Sequence, residues 1–133
     1  MKTIEATATT SASPADVWKL IDDVSEWTRW GTWTESGVEG DGPQKIGAVR
    51  TLVKRPFHLR ERITEWEPNE RMSYEVLEGM RVQGYRATVT LEPRSDGGTT
   101  IRWHATYERA GPLAGLILRR AIPDACRRLA KAA

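Results

Sequence analysis

Ser13-Pro14-Ala15-Asp16-Val17-Trp18-Lys19-Leu20-Ile21-Asp22-Asp23 carries a complete helix start. Ser13 offers a hydroxyl to the free backbone N–H groups of a first turn. Pro14 has the fixed φ of a first helical position, and Asp16 stands where a capping box closes. Val17, Leu20, Ile21 and Val24 then recur at the i, i+3, i+4, i+7 spacing of one buried helix face. Upstream, Thr3–Thr10 alternates weakly and is rich in threonine, which predicts a first strand. Downstream, Ser25–Trp30 predicts a short second helix with Trp27 and Trp30 one turn apart. From Thr32 the period changes to two. Strands are predicted near 32–39, 46–54, 57–66, 71–78, 82–93 and 99–108, divided by turn chemistry such as Gly40-Asp41-Gly42-Pro43 and Asp96-Gly97-Gly98. Pro112–Ala133 is predicted as a last helix with Leu118, Ile122, Ala125 and Leu129 on one face. Pro123 inside it predicts a kink or break.

The order is strand, two short helices, six strands and one long helix, which makes an α+β domain of seven antiparallel strands spanning 1–133 as a single unit. One helix covers such a sheet only if the sheet curls around it, and a cavity between the two is the natural result. Of 133 residues, 39% are hydrophobic and 29% charged, in the range of globular proteins and outside that of disordered chains. The longest uncharged apolar stretch, Ala110–Leu118, is far short of the roughly 20 residues of a membrane span, so no stable membrane insertion is expected. Lys2 is followed by no apolar run, so no secretory signal is expected. The single cysteine, Cys126, excludes an internal disulfide and fits a reducing cytoplasm.

Net charge is only +2, which argues against nucleic acid as partner. It is unevenly spread: residues 1–44 carry three basic and eight acidic residues, and 45–133 carry seventeen and ten. Six tryptophans and three tyrosines against one phenylalanine suit the wall of a ligand cavity, since each pairs an apolar body with a polar tip.

Residues 13–23 with Trp27 and Trp30, the segment Ile63-Thr64-Glu65-Trp66-Glu67-Pro68-Asn69-Glu70-Arg71-Met72-Ser73-Tyr74, and Asp96-Gly97-Gly98-Thr99-Thr100-Ile101 followed by Trp103 resemble the START-like (SRPBCC) superfamily. The branch they resemble is the polyketide cyclase/dehydrase and lipid-transport family. The resemblance runs along nearly the whole chain. It implies a helix-grip fold, a curved seven-stranded antiparallel sheet wrapped around the C-terminal helix with two short helices after the first strand. It fixes no activity, because the family spans cyclases, hydrolase-like enzymes and carriers.

Alternation assigns side chains to the cavity. Phe57, Leu59, Glu61, Ile63 and Glu65 fall on one face of 57–66. Met72, Tyr74 and Val76 point inward from the next strand, Tyr85, Ala87, Val89 and Leu91 from the one after, and Ile101, Trp103, Ala105 and Tyr107 from the last. Trp33 is placed inward as well. The expected ligand-binding residues are therefore Trp33, Phe57, Leu59, Ile63, Met72, Tyr85, Val89 and Trp103, with Leu118 and Ile122 from the last helix. Trp18, Trp27 and Trp30 are assigned to packing of the short helices near the cavity mouth.

Glu61 is the outlier: a carboxylate among Phe57, Leu59 and Ile63 must be paired, hydrated or protonated. It is either a general base or ligand anchor with a raised pKa, or the partner of an inward arginine. Tyr74, Tyr85 and Tyr107 are candidate donors to a ligand carbonyl, with Tyr74 or Tyr107 to steady an enolate oxygen, or they are core residues with hydroxyls satisfied at the sheet edge. His58 and His104 fall on the outward face, so neither a metal site nor a Cys–His pair is expected. No phosphate loop or nucleophile elbow occurs, and no cofactor is expected. Arg50, Arg60, Arg62, Arg86 and Arg102 are assigned with Glu75 and Trp66 to the outward face, as cross-strand charge pairs.

The resemblance, taken with the tryptophan and tyrosine excess and the inward Glu61, implies a cytoplasmic small-molecule-binding domain for an apolar or aromatic ligand such as a polyketide, lipid or isoprenoid, with cofactor-free cyclisation or dehydration as its chemistry if it is an enzyme. Two other readings fit the same sequence: a lipid or quinone carrier using its basic last helix, and a partner-binding module with a vestigial cavity. A homodimer through a sheet edge or the last helix is compatible with all three.

Overall fold

The computed structural model describes residues 1–133. The elements are β1 (Lys2–Thr10), α1 (Pro14–Asp22), a 3₁₀ turn at Val24–Glu26, α2 (Trp27–Trp30), β2 (Glu35–Val38), β3 (Val49–Lys54), β4 (Phe57–Glu67), β5 (Arg71–Glu78), β6 (Val82–Gln83), β7 (Arg86–Pro93), β8 (Thr99–Tyr107), β9 (Arg109–Ala110) and α3 (Pro112–Ala132). Seven strands form one antiparallel sheet in the order β1-β8-β7-β5-β4-β3-β2. This is the expected α+β helix-grip architecture. α3 packs against β1 and β8, and α1 reaches β7.

The start of α1 is as its sequence dictates: the Ser13 hydroxyl accepts from Asp16 N–H at 3.2 Å and Pro14 opens the helix. Its C-terminal end is closed by side chains from further along the chain. A helix leaves its last carbonyls without intrahelical partners. Here Trp30 Nε1 donates to Leu20 O (3.3 Å), Trp27 Nε1 to Ile21 O (3.2 Å), and Gln44 Nε2 to both Ile21 O (2.8 Å) and Asp22 O (2.7 Å). Two of the six tryptophans are thus helix caps as well as apolar bodies.

Four expectations are corrected. The predicted strand 82–93 is two strands, because Gly84 takes φ +68° and turns the chain; β6 leaves the sheet to pair with β9. The last helix runs through Pro123 without a break. Its face is held on both sides of the proline by Leu118, Ile122, Cys126 and Leu129, all buried, and a single missing donor does not undo that packing. Glu65 and Trp66 exchange faces because a register shift falls between Ile63 and Glu65, and an extra residue in one strand reverses the alternation beyond it. Trp66 therefore packs on Trp18, ring centroids 4.7 Å apart, while Glu65 bonds Arg71 and Ser73. Finally, Arg50 points inward and is fully buried.

The rest of the outward face carries the expected cross-strand pairs, among them Arg62–Glu75 and Arg102–Glu92. Arg60 additionally reaches Glu39 at 2.6 Å.

Gln44→Ala is expected to destabilise the protein by about 2–4 kcal/mol in urea denaturation, since it strips partners from two helix carbonyls and from Arg50. Lys45→Ala, one residue on and exposed, is expected to stay within about 0.5 kcal/mol. Equal effects would refute the capping role.

Candidate functional site

The hairpin β3–β4 sets the site in three levels. Lys54 pairs with Phe57, Leu52 with Leu59, and Arg50 with Glu61. Period two puts all six on the inward face. Exposure falls along the same line: Lys54 is exposed and Phe57 partly buried, whereas Leu52 (1%), Leu59 (4%), Arg50 (0%) and Glu61 (5%) are buried. Opposite them stand Trp27 and Trp30 of α2, Trp33, Tyr74 of β5, Trp103 of β8, and Leu118 and Ile122 of α3. All of these but Arg50, which lies behind Glu61, line a cavity of about 220 Å³. Gly31 keeps the Trp33 indole close: a Cβ there would lie 3.1 Å from Trp33 Cδ1 and 2.7 Å from Trp27 O.

At the inner end, Arg50 Nε donates to Glu61 Oε1 at 2.8 Å, and Nη1 donates to Gln44 Oε1 at 3.1 Å. The guanidinium lies between two aromatic faces, with Cζ 4.3 Å from the Trp27 ring centroid and 4.7 Å from that of Tyr74. Its terminal nitrogens approach Met72 Sδ at 3.7 Å. The cation is therefore bonded along its edge and stacked on its faces. Burial pushes the Glu61 carboxyl above its ordinary pKa, with Arg50 opposing the shift. Arg50 occupies Oε1, and no protein donor takes Oε2.

Trp103 Nε1, a donor only, gives its hydrogen bond to Tyr74 Oη at 3.3 Å, and the Tyr74 and Tyr85 hydroxyls lie 3.2 Å apart. With Tyr85 donating within that pair, the Tyr74 hydrogen is left for an acceptor in the cavity. Burial, reinforced by the Glu61 charge, holds the Tyr74 pKa far above its usual value, so the hydroxyl stays a donor. Burial and the neighbouring Tyr74 do the same for Tyr85.

Of the residues expected to contact ligand, the structure brings Trp33, Phe57, Leu59, Glu61, Tyr74, Trp103, Leu118 and Ile122 to this wall. Ile63, Met72, Tyr85 and Val89 are buried in the surrounding core and do not line it. Tyr107 does not line this cavity: it lies on the same face as Trp103 but four residues on, and β8 stands three strands from the β4 that carries Glu61. There it borders a separate, open depression with Lys2, Arg109 and Arg119, beside Gly115 of α3. Sequence reading missed Arg50, although its spacing of two from Leu52 puts the pair on one face. It also missed Ile117, Ala121 and Ala125, which join the wall because α3 presents a broad flank to the cavity.

A seven-stranded antiparallel sheet gripping a C-terminal helix, with an aromatic-walled cavity between, defines the START-like class of small-molecule-binding proteins. The chain belongs to the polyketide cyclase / dehydrase and lipid transport family, whose model matches residues 1–133. Among solved structures it is similar to the protein XoxI from Bacillus cereus (19% identity, TM-score 0.80, 99% of this chain and 95% of that one). It is also similar to a protein from Thermobifida fusca (27% identity, TM-score 0.75, 95% and 85%). DynU16, a protein of the dynemicin biosynthetic locus, matches at 16% identity and TM-score 0.75 over 98% of this chain and 46% of its own. No curated protein sequence matches the chain. No helix is long and apolar enough to cross a membrane.

Arg50→Met leaves Glu61 buried without a counter-charge and is expected to cost about 3–5 kcal/mol, whereas Arg50→Met with Glu61→Leu recovers most of that loss. A double-mutant cycle by denaturant unfolding measures it, and additive losses would contradict the pairing. Folded Glu61 ionises at a higher pH than the carboxyl of the unfolded chain. Its contribution to stability is therefore whole below the ordinary carboxyl value of about 4.3 and falls away as pH rises through the folded value. Wild type is expected to lose stability relative to Glu61→Gln over that rise; a flat difference between the two unfolding curves would contradict it.

Proposed function

We propose that the protein binds a compact apolar or aromatic molecule in the cavity between the β3–β4 hairpin and α3, with Tyr74 and Glu61 meeting its polar group. The observation that carries this reading is the cavity wall itself: indole and aliphatic surfaces that end on one carboxylate and one phenol. Ligand sites combine apolar lining with a few placed polar groups in this way. The volume, about 220 Å³, lies under the roughly 300–1,000 Å³ of drug-sized sites and favours a one- or two-ring body over a lipid with two acyl chains. A family that includes cyclases and lipid carriers accommodates both binding and chemistry, and a structural relative from a biosynthetic locus points the same way.

A second reading, cofactor-free cyclisation or dehydration, is favoured by the raised pKa of Glu61 and its unoccupied Oε2. Glu61 would take a proton next to a carbonyl, and the Tyr74 hydroxyl would donate to the enolate oxygen. The cavity would hold the reacting carbons of a poly-keto chain together.

Binding of 2-naphthol, followed by tryptophan emission and calorimetry, is the first test. Ala125→Phe fills the wall and is expected to weaken binding more than about tenfold, or 1.4 kcal/mol, with an unchanged circular dichroism spectrum. Unaltered affinity would place the ligand elsewhere. Under the catalytic reading, Glu61→Gln removes turnover of a poly-keto substrate while binding persists; full turnover in that variant would exclude Glu61 as the base.

A further inference from the structure

The charged groups that border the cavity are not balanced. Glu61 is held by Arg50 at 2.8 Å. Asp124, on the α3 side of the opening, is held by Arg128 at 2.7 Å, with Arg127 at 3.7 Å. Each carboxylate that lines the cavity thus already has its cation. Lys54 and Arg55, from the end of β3 and the turn after it, also line the opening, are exposed, and have no carboxylate within 4.0 Å. They are the uncompensated charges of the site, and both are positive.

The register says how far they stand from the inner end. Lys54 is level with Phe57, and Glu61 lies four residues further along β4. At about 3.4 Å per residue, the cationic rim is about 14 Å from the buried carboxylate. The apolar level of Leu52 and Leu59 lies between. The hairpin therefore presents a cationic rim, an apolar middle and a hydrogen-bonding floor in sequence.

We infer that the ligand is two-ended: an apolar or aromatic body about 10 Å long that carries an anionic group, carboxylate or phosphate, at the end held by Lys54 and Arg55, and a hydroxyl or carbonyl at the end that meets Tyr74. This rests on the cavity being the ligand site and adds the charge and polarity of what enters it. An anion at the rim keeps most of its hydration while gaining two charge-assisted hydrogen bonds. The same anion at the floor would face Glu61. The order of groups along the hairpin thus fixes the direction of entry, the uncharged hydroxyl or carbonyl end first.

The test compares 6-hydroxy-2-naphthoic acid, its methyl ester, 2-naphthyl phosphate and 2-naphthol by calorimetry with the full chain. The acid is expected to bind about tenfold tighter than its ester, the sum of two exposed ion pairs. That advantage is expected to shrink at about 0.5 M salt. In Lys54→Gln/Arg55→Gln it is expected to fall below about threefold. The phosphate against the carboxylate tells which anion the rim prefers, and a preference for either over neutral 2-naphthol supports the inference. Acid and ester binding equally, or a preference that survives the double substitution, overturns it while leaving the cavity as the ligand site. Failure of all four compounds, 2-naphthol included, overturns the ligand-site reading and this inference with it.

Discussion

The Arg50 guanidinium, fully buried, is the group around which the rest of the structure is arranged. A charge in that position must have each of its N–H groups answered, or the chain will not fold around it. Glu61 from β4, Gln44 from the loop before β3, Met72 from β5 and the ring faces of Trp27 and Tyr74 supply the answer. Gln44 in turn holds the last carbonyls of α1, and Trp27 bonds one of them as well. The helix end, the second helix, three strands and the cavity floor are joined through one side chain. The arrangement fixes geometry more than it adds stability, since two buried charges recover their hydration only when the surrounding bonds are complete.

Much of this was legible in the chain. The start of α1 has local causes, a cap and a proline, and folds as written. The inward positions of Leu59, Glu61, Tyr74 and Trp103 follow from alternation alone. What escaped reading has three physical sources. A residue's type can mislead about its face: Arg50 reads as solvent-facing until its spacing from Leu52 is set against it. A backbone irregularity can reset the period without a signal in side-chain chemistry, as between Ile63 and Glu65, where Trp66 is carried inward. Tyr107 illustrates a third limit, for it shares a face with Trp103 yet not a location, and periodicity carries no information on depth along a strand.

The aromatic excess also has a more definite meaning than composition suggests. Trp27 and Trp30 close a helix, Trp18 and Trp66 pack on each other away from the cavity, and Trp33 and Trp103 are wall. Trp27 and Trp30 belong to both groups, capping α1 with their ring nitrogens while their carbon surfaces face the cavity. The end of α1 and the shape of the cavity are therefore set by the same two side chains.

The pairing of β1 with β8 has a consequence in time. Lys2 lies opposite Tyr107 and Thr10 opposite Thr99, so the first strand of the chain finds its sheet partner only once the residues up to Tyr107, about four-fifths of the sequence, are in place. On the ribosome β1 is finished early and waits, its backbone groups unpaired, while the hairpins β3–β4 and β4–β5 can form from neighbouring sequence. Closing so large a loop is slow, and an unpaired strand invites association with other chains. β1 is suited to that wait. It is built of threonine and alanine with Lys2 and Glu5 among them, and only Ile4 is buried in the end. Its small contribution to the core is what makes its long exposure safe.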